Sequence, residues 1–109
     1  LLNENNILII GPQSYFTNIH LITKSKLVIT DSGGIQEETS HLNIPCLTFR
    51  ENTERPITIT KGTNQLVKLS EIEKKIHTCK KKKKIPYLDG KTAKRIVKIL
   101  KDYFNEKIN

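Results

Sequence analysis

The stretch VITDSGGIQEETSHLNIPCLTFRENTERP, from Val28 to Pro56, decides how this chain reads. An apolar run stops at Asp31, two glycines follow, and a carboxylate-rich segment begins at Ile35. IQEETSHL has the length and spacing of a helix, with Ile35 and Leu42 on one stripe, and IPCLTF after it reads as a buried strand. The segment before the glycines, KLVIT (Lys26 to Thr30), is an earlier strand of the same kind. Further out, NILIIG (Asn6 to Gly11) reads as a first strand. SYFTNIHLITKS reads as the helix after it, with Phe16, Ile19, Leu21 and Ile22 at spacings that suit a helix better than a strand. The order is β-α-β-α-β. Continuous apolar strands joined by helices imply a parallel sheet covered on both faces, with right-handed crossovers. The expected fold is therefore α/β, a Rossmann-like parallel sheet flanked by helices, in a single domain over residues 1–109.

Beyond this unit the chain continues with the loop RENTERP, an extended ITITKGTNQLV, a short helix LSEIEKKIHT, the lysine run, the turn IPYLDG and a final helix over 92–104. In that last helix Ala93, Ile96, Val97, Leu100 and Phe104 share one face, and the spacing predicts a packing helix.

With 109 residues the chain is long enough for one core and too short for a two-domain active site. The apolar runs ILII and LVI fall far below the roughly 20 residues that cross a bilayer. No signal-peptide pattern is present, and we read the chain as cytoplasmic with no membrane partner. The two cysteines show no close-spaced metal or redox pattern, so both are expected to be reduced. No carboxylate cluster or histidine spacing suggests a metal or cofactor. There is no methionine; we read the opening LLNENN as the tail of something longer.

The net charge of +8 resembles a nucleic-acid signal until it is located: Lys80 to Lys84 supply five of those charges. A run of five lysines without interleaved aromatics or a recognition helix is a solvated segment, which makes nucleic acid an unlikely partner.

Ligands of an open parallel sheet bind at the carboxyl ends of its strands, where DSGG sits. Gly33 and Gly34 carry no side chain, so an anion such as phosphate could approach the first free amides of the following helix. The plain alternative is a sharp turn capped by Ser32 or Asp31. These four residues leave both readings open. Glu38 lies one helical turn beyond Gly34, within reach of two ribose hydroxyls, whereas Glu37 points elsewhere. Arg50 and Arg55 lie across the crevice, and a guanidinium grips phosphate in a forked geometry that lysine lacks; pairing of Arg55 with Glu54 is the alternative there.

TDSGGIQEE, IPCLTFRENTERP and GTNQLV in this order, with PYLDGKTAKRIVKIL near the end, resemble the C-terminal half of non-hydrolysing UDP-N-acetylglucosamine 2-epimerases. The resemblance implies a glycosyltransferase-B-like (GT-B) architecture of two Rossmann-like halves closing on a UDP-sugar. It further implies a reaction in which UDP-N-acetylglucosamine and its manno epimer interconvert by loss of the C2 proton and of UDP, followed by re-addition. It implies that Ser32, Gly33 and Gly34 cradle the diphosphate of UDP, that Glu38 binds the ribose, and that Arg55 faces the phosphates. It also implies an N-terminal half that holds the proton-transferring carboxylates, so no catalytic acid or base is assigned to this chain, which alone is expected to be inactive. A cytoplasmic role in cell-surface polysaccharide biosynthesis and a homodimer belong to the same expectation. Departures from the pattern are Asn18 where the family often has an aromatic against uracil, Ile57 after TERP, and Lys68 for a glycine. The rival readings are half of a GT-B glycosyltransferase and, from another class, a small basic nucleic-acid-binding or scaffold module.

Overall fold

The computed structural model describes residues 6–79 and 85–108. The lysine run of residues 80–84 lies outside these. Helix α1 (Tyr15–Lys24), strand β1 (Val28–Thr30), helix α2 (Gly33–Leu42), strand β2 (Cys46–Thr48), helix α3 (Pro56–Thr60) and strand β3 (Asn64–Leu66) form the body, and a 3-10 turn (Leu69–Glu71) leads into helix α4 (Ile72–Ile76). Helix α5 (Thr92–Ile108) ends the chain.

The sheet is parallel throughout, in the order β1-β2-β3, with Val28 beside Cys46 and Cys46 beside Asn64. The fold class is as expected, but the strands differ by one. Residues 7–10 form no strand; Leu8 is 85% exposed and Ile9 70%. A strand needs a neighbour for its ladder, and no described strand offers one to this segment. The third strand is NQL instead, inside the stretch read as extended.

ITIT, at the start of that stretch, is helical. Its β-branched residues favour strands, but Pro56 at the first helical position presets φ and needs no N–H partner. The hydroxyls of Thr58 and Thr60 close back onto the carbonyls of Arg55 and Pro56 at 2.7 and 3.2 Å.

Helix α1 starts at Ser14, whose hydroxyl accepts from Thr17 N–H at 3.2 Å. It turns Ile22 inward and leaves Phe16 and Leu21 exposed. Helix α2 ends on Asn43 in the left-handed region at φ 62°, a conformation asparagine tolerates, and the Ile44 N–H returns to the Thr39 carbonyl at 2.9 Å.

The layer between α2 and the sheet is polar. The face α2 buries consists of Gln36, Thr39 and Ser40, against Thr48, Thr63 and Asn64. Ile35 and Leu42, the stripe expected to face inward, are only partly buried. Short hydroxylated side chains bring the helix close, and most of the buried polar groups find partners there, although Gln36 Nε2 and Thr63 Oγ1 make no hydrogen bond among the described residues. Thr39 bonds back to the Ile35 carbonyl at 2.7 Å, and the Ser40 hydroxyl accepts from Thr63 N–H at 3.4 Å. Cys46 is a free thiol in this layer, pushed above its usual pKa by burial. Leu47 points to the opposite face of the sheet and is fully buried; α4 packs against β2.

Helix α5 corrects a second expectation. Ile96, Val97, Leu100 and Phe104 share a face, yet each stays about half exposed, so this face is not packed on the body. The turn before it is closed by Asp89, which accepts from Lys91 N–H and pairs with Arg95, a guanidinium that holds the Asp89 carboxyl down at about 2. The molecule measures 70 × 28 × 21 Å.

Candidate functional site

Helix α2 begins at the carboxyl end of β1, directly after Thr30, Asp31 and Ser32. Ser32 holds the cap position with extended backbone, but its hydroxyl makes no capping bond. The Ser32 N–H is spent on the Thr30 hydroxyl at 3.0 Å. The Ser32 side chain therefore does not cap this helix. The amides of Gly33, Gly34 and Ile35 precede the first intrahelical bond, Gln36 N–H to Ser32 carbonyl at 3.4 Å, and stay open for an anion.

One carboxylate already stands there. A methyl group on Gly33 would collide with the Glu54 carboxylate, so this acid lies directly over the first turn of α2. A hydrogen bond from its own backbone N–H and the nearby Arg50 guanidinium hold the Glu54 carboxyl below its ordinary range; Arg50 Nη1 donates to Glu54 Oε2 at 3.0 Å.

Arg55 is next along the loop. Its partner is Glu37 rather than Glu54, at 3.3 Å from Nε, with both side chains nearly half exposed. Glu37 lies four residues after Gly33, on the same helical face. The sequence reading has Glu37 pointing elsewhere, whereas here it forms an exposed ion pair with Arg55.

Glu38 occupies the neighbouring face, below Gly34. It is partly buried and lines a cavity of about 320 Å³ with Tyr15 and Ile19 of α1, Glu37, His41 and Leu42 of α2, and Leu88 from the turn before α5. The structure thus brings Ser32, Gly33 and Gly34 to one helix end, pairs Arg55 with Glu37 of the same helix, and places Glu38 in a cavity that Glu37 also lines. Tyr15 and Leu88 were not singled out from sequence, and Leu42 and Glu54 were named only as a helix-stripe residue and as an alternative partner of Arg55. Tyr15 was hidden in a run read only as a helix start. Among the described residues no group of three or more His, Cys, Asp or Glu could hold a metal ion, and no helix is long and apolar enough to cross a membrane.

The fold is shared with known proteins. A family model described as UDP-N-acetylglucosamine 2-epimerase matches residues 1–101. The chain belongs to the UDP-N-acetylglucosamine 2-epimerase family. It is 41% identical over 105 residues to the UDP-N-acetylglucosamine 2-epimerase of Methanocaldococcus jannaschii, covering 92% of this chain and 29% of that protein. The enzyme of the same name from Methanococcus maripaludis is 43% identical over 112 residues, again with 95% of this chain and 30% of that protein covered. The structure of the M. jannaschii epimerase in complex with UDP-GlcNAc and UDP superposes with a TM-score of 0.78 at 39% identity, over 91% of this chain and 29% of that one. The chain therefore spans under a third of the length of the epimerases it matches.

Proposed function

We propose that residues 1–109 form a single UDP-binding unit, the C-terminal part of a GT-B-like UDP-N-acetylglucosamine 2-epimerase. The observation that carries this is the uncapped start of α2. Three open amides face a loop that already brings a carboxylate and an arginine to them, with Glu38 one turn further in and lining a cavity. The diphosphate takes the place of the Glu54 carboxylate over Gly33 and hydrogen-bonds to the first-turn amides and the Ser32 hydroxyl, and Arg55 turns from Glu37 to the phosphate oxygens. Glu38 accepts from the ribose hydroxyls. Tyr15, Ile19 and Leu42 supply the apolar walls a pyrimidine ring needs, on a helix where Asn18 has no ring to offer.

In the reaction, UDP leaves C1 as the C2 proton is removed, and both return with C2 inverted. This chain's part is to neutralise charge on departing UDP through preorganised N–H groups and Arg55. The carboxylates that move the C2 proton belong to the remainder of the enzyme, so the chain alone binds UDP without turning the sugar over. With a UDP-linked N-acetylhexosamine as substrate, the proposed activity is a cytoplasmic step toward cell-surface polysaccharide. No feature of the described residues favours the glycosyltransferase reading.

Arg55→Lys keeps the charge and removes the fork. Isothermal calorimetry is expected to show UDP binding weakened by about five- to tenfold, with uridine unaffected. Equal affinity of the lysine variant and the wild type for UDP would remove Arg55 from the phosphate site.

A further inference from the structure

Arg55 is exposed, and its ion pair with Glu37 is of the screened, surface kind that contributes little to fixing a side chain. What holds this residue in place is its backbone. We propose that Gln36, Thr53, Thr58 and Asn64 form a buried polar relay that clamps Arg55 against α2, making them positioning residues for diphosphate recognition; this rests on the UDP-binding reading above.

The clamp closes on both sides of Arg55. Its N–H donates to Thr53 Oγ1 at 3.0 Å, and the Thr53 hydroxyl donates to Gln36 Oε1 at 2.6 Å. Its carbonyl accepts from Thr58 Oγ1 at 2.7 Å, and that oxygen in turn accepts from Asn64 Nδ2 at 3.1 Å. The same amide donates its other hydrogen to Gln36 Oε1 at 3.1 Å, and Asn64 Oδ1 accepts from the Thr48 hydroxyl at 2.6 Å. All of the Asn64 amide is thus directed, leaving no freedom to flip. Gln36, Thr48 and Asn64 are wholly buried and Thr58 is 1% exposed, so these bonds form away from water, where such networks are rigid.

The relay links the two ligand-facing parts. Gln36 belongs to the turn of α2 that follows Gly33 and Gly34, and Asn64 starts β3. The open amides and the arginine therefore share one anchor. Rigid placement of this kind lowers the cost of ordering a charged side chain on binding.

Thr53 is the partly buried member, and its replacement least disturbs the core. Thr53→Val keeps the shape and removes the hydroxyl; Thr53→Ser keeps the hydroxyl. Calorimetry with UDP is expected to show affinity about two- to tenfold lower in Thr53→Val and near wild type in Thr53→Ser, with uridine affinity unchanged in both. In an Arg55→Ala background, Thr53→Val should cause no further loss. An equal loss for uridine, a full additional loss in the Arg55→Ala background, or unchanged UDP affinity in Thr53→Val would overturn the relay. Unchanged UDP affinity in Arg55→Ala would instead overturn the phosphate role of Arg55, and the relay with it.

Discussion

Gly62→Ala is expected to lower the melting temperature by about 5–20 °C, which corresponds to roughly 1–3 kcal/mol of overpacking in a domain of this size. Gly62 follows α3, and its N–H bonds to the Ile57 carbonyl at 3.2 Å. A Cβ there would meet the Thr58 carbonyl oxygen at 2.5 Å and the Thr58 Cα at 2.9 Å, with the Ser40 hydroxyl also in its way. Two of these three are backbone atoms of α3, in the helix that holds the Arg55 carbonyl, and they cannot swing aside. The polar layer between α2 and the sheet explains the tightness, since small side chains let the elements approach until only hydrogen fits. Gly33→Ala is the matched contrast. Its Cβ would meet only the carboxylate end of Glu54, a flexible side chain that can rotate into solvent. Thermal denaturation followed by circular dichroism should separate the two variants clearly; equal melting temperatures would show that α2 and α3 can move apart at little cost.

Glu38→Ala is expected to weaken UDP binding by about ten- to more than a hundredfold, the equivalent of about 1.5–3 kcal/mol for a charged hydrogen-bond partner. Inorganic pyrophosphate, which has no ribose, should bind the variant as well as it binds the wild type. Glu37→Ala should affect UDP far less, because its exposed pair with Arg55 contributes little. Calorimetric titration of both ligands into both variants reads the difference. If pyrophosphate affinity fell as far as UDP affinity in Glu38→Ala, the ribose role of Glu38 would be wrong.

Much of this was legible before any coordinates. The turn from β1 into α2 and the strand at Cys46–Thr48 follow from an apolar run, a glycine pair and a second apolar run, a pattern with few alternatives. The position of Gly33 and Gly34 at a carboxyl end follows from where that turn must lie in a parallel sheet, whereas the roles of Ser32, Gly33, Gly34, Glu38 and Arg55 come from the family resemblance. Three things were not legible, each for its own reason. The segment 7–10 has the composition of a strand, but a strand exists only beside a partner, and composition does not name one. ITIT has strand-forming side chains, yet the proline before it and threonine bonds to the backbone made a helical turn. The burial of Gln36, Thr39, Ser40 and Asn64 was not foreseen because single polar residues carry no sign of the hydrogen bonds that accompany their burial. Thr53 was passed over for the same reason, and the position of Glu54 over Gly33 because it depends on the path of the whole loop.

The apolar face of α5 illustrates the same limit. Its spacing announces a packing surface, and the exposure of Ile96, Val97, Leu100 and Phe104 shows that the body of this chain does not cover it. Periodicity reports that a face is apolar; it does not report what lies against it.

The most direct measurement is a UDP titration of the isotopically labelled chain followed by backbone amide resonances. The account predicts saturable shifts concentrated in Ser32 to Glu38, largest at Gly33, Gly34 and Ile35, with smaller ones at Thr53 to Arg55 as the Glu54 carboxylate is displaced. Absence of any response in Ser32 to Glu38 up to millimolar UDP, or shifts confined to other parts of the chain, would contradict it.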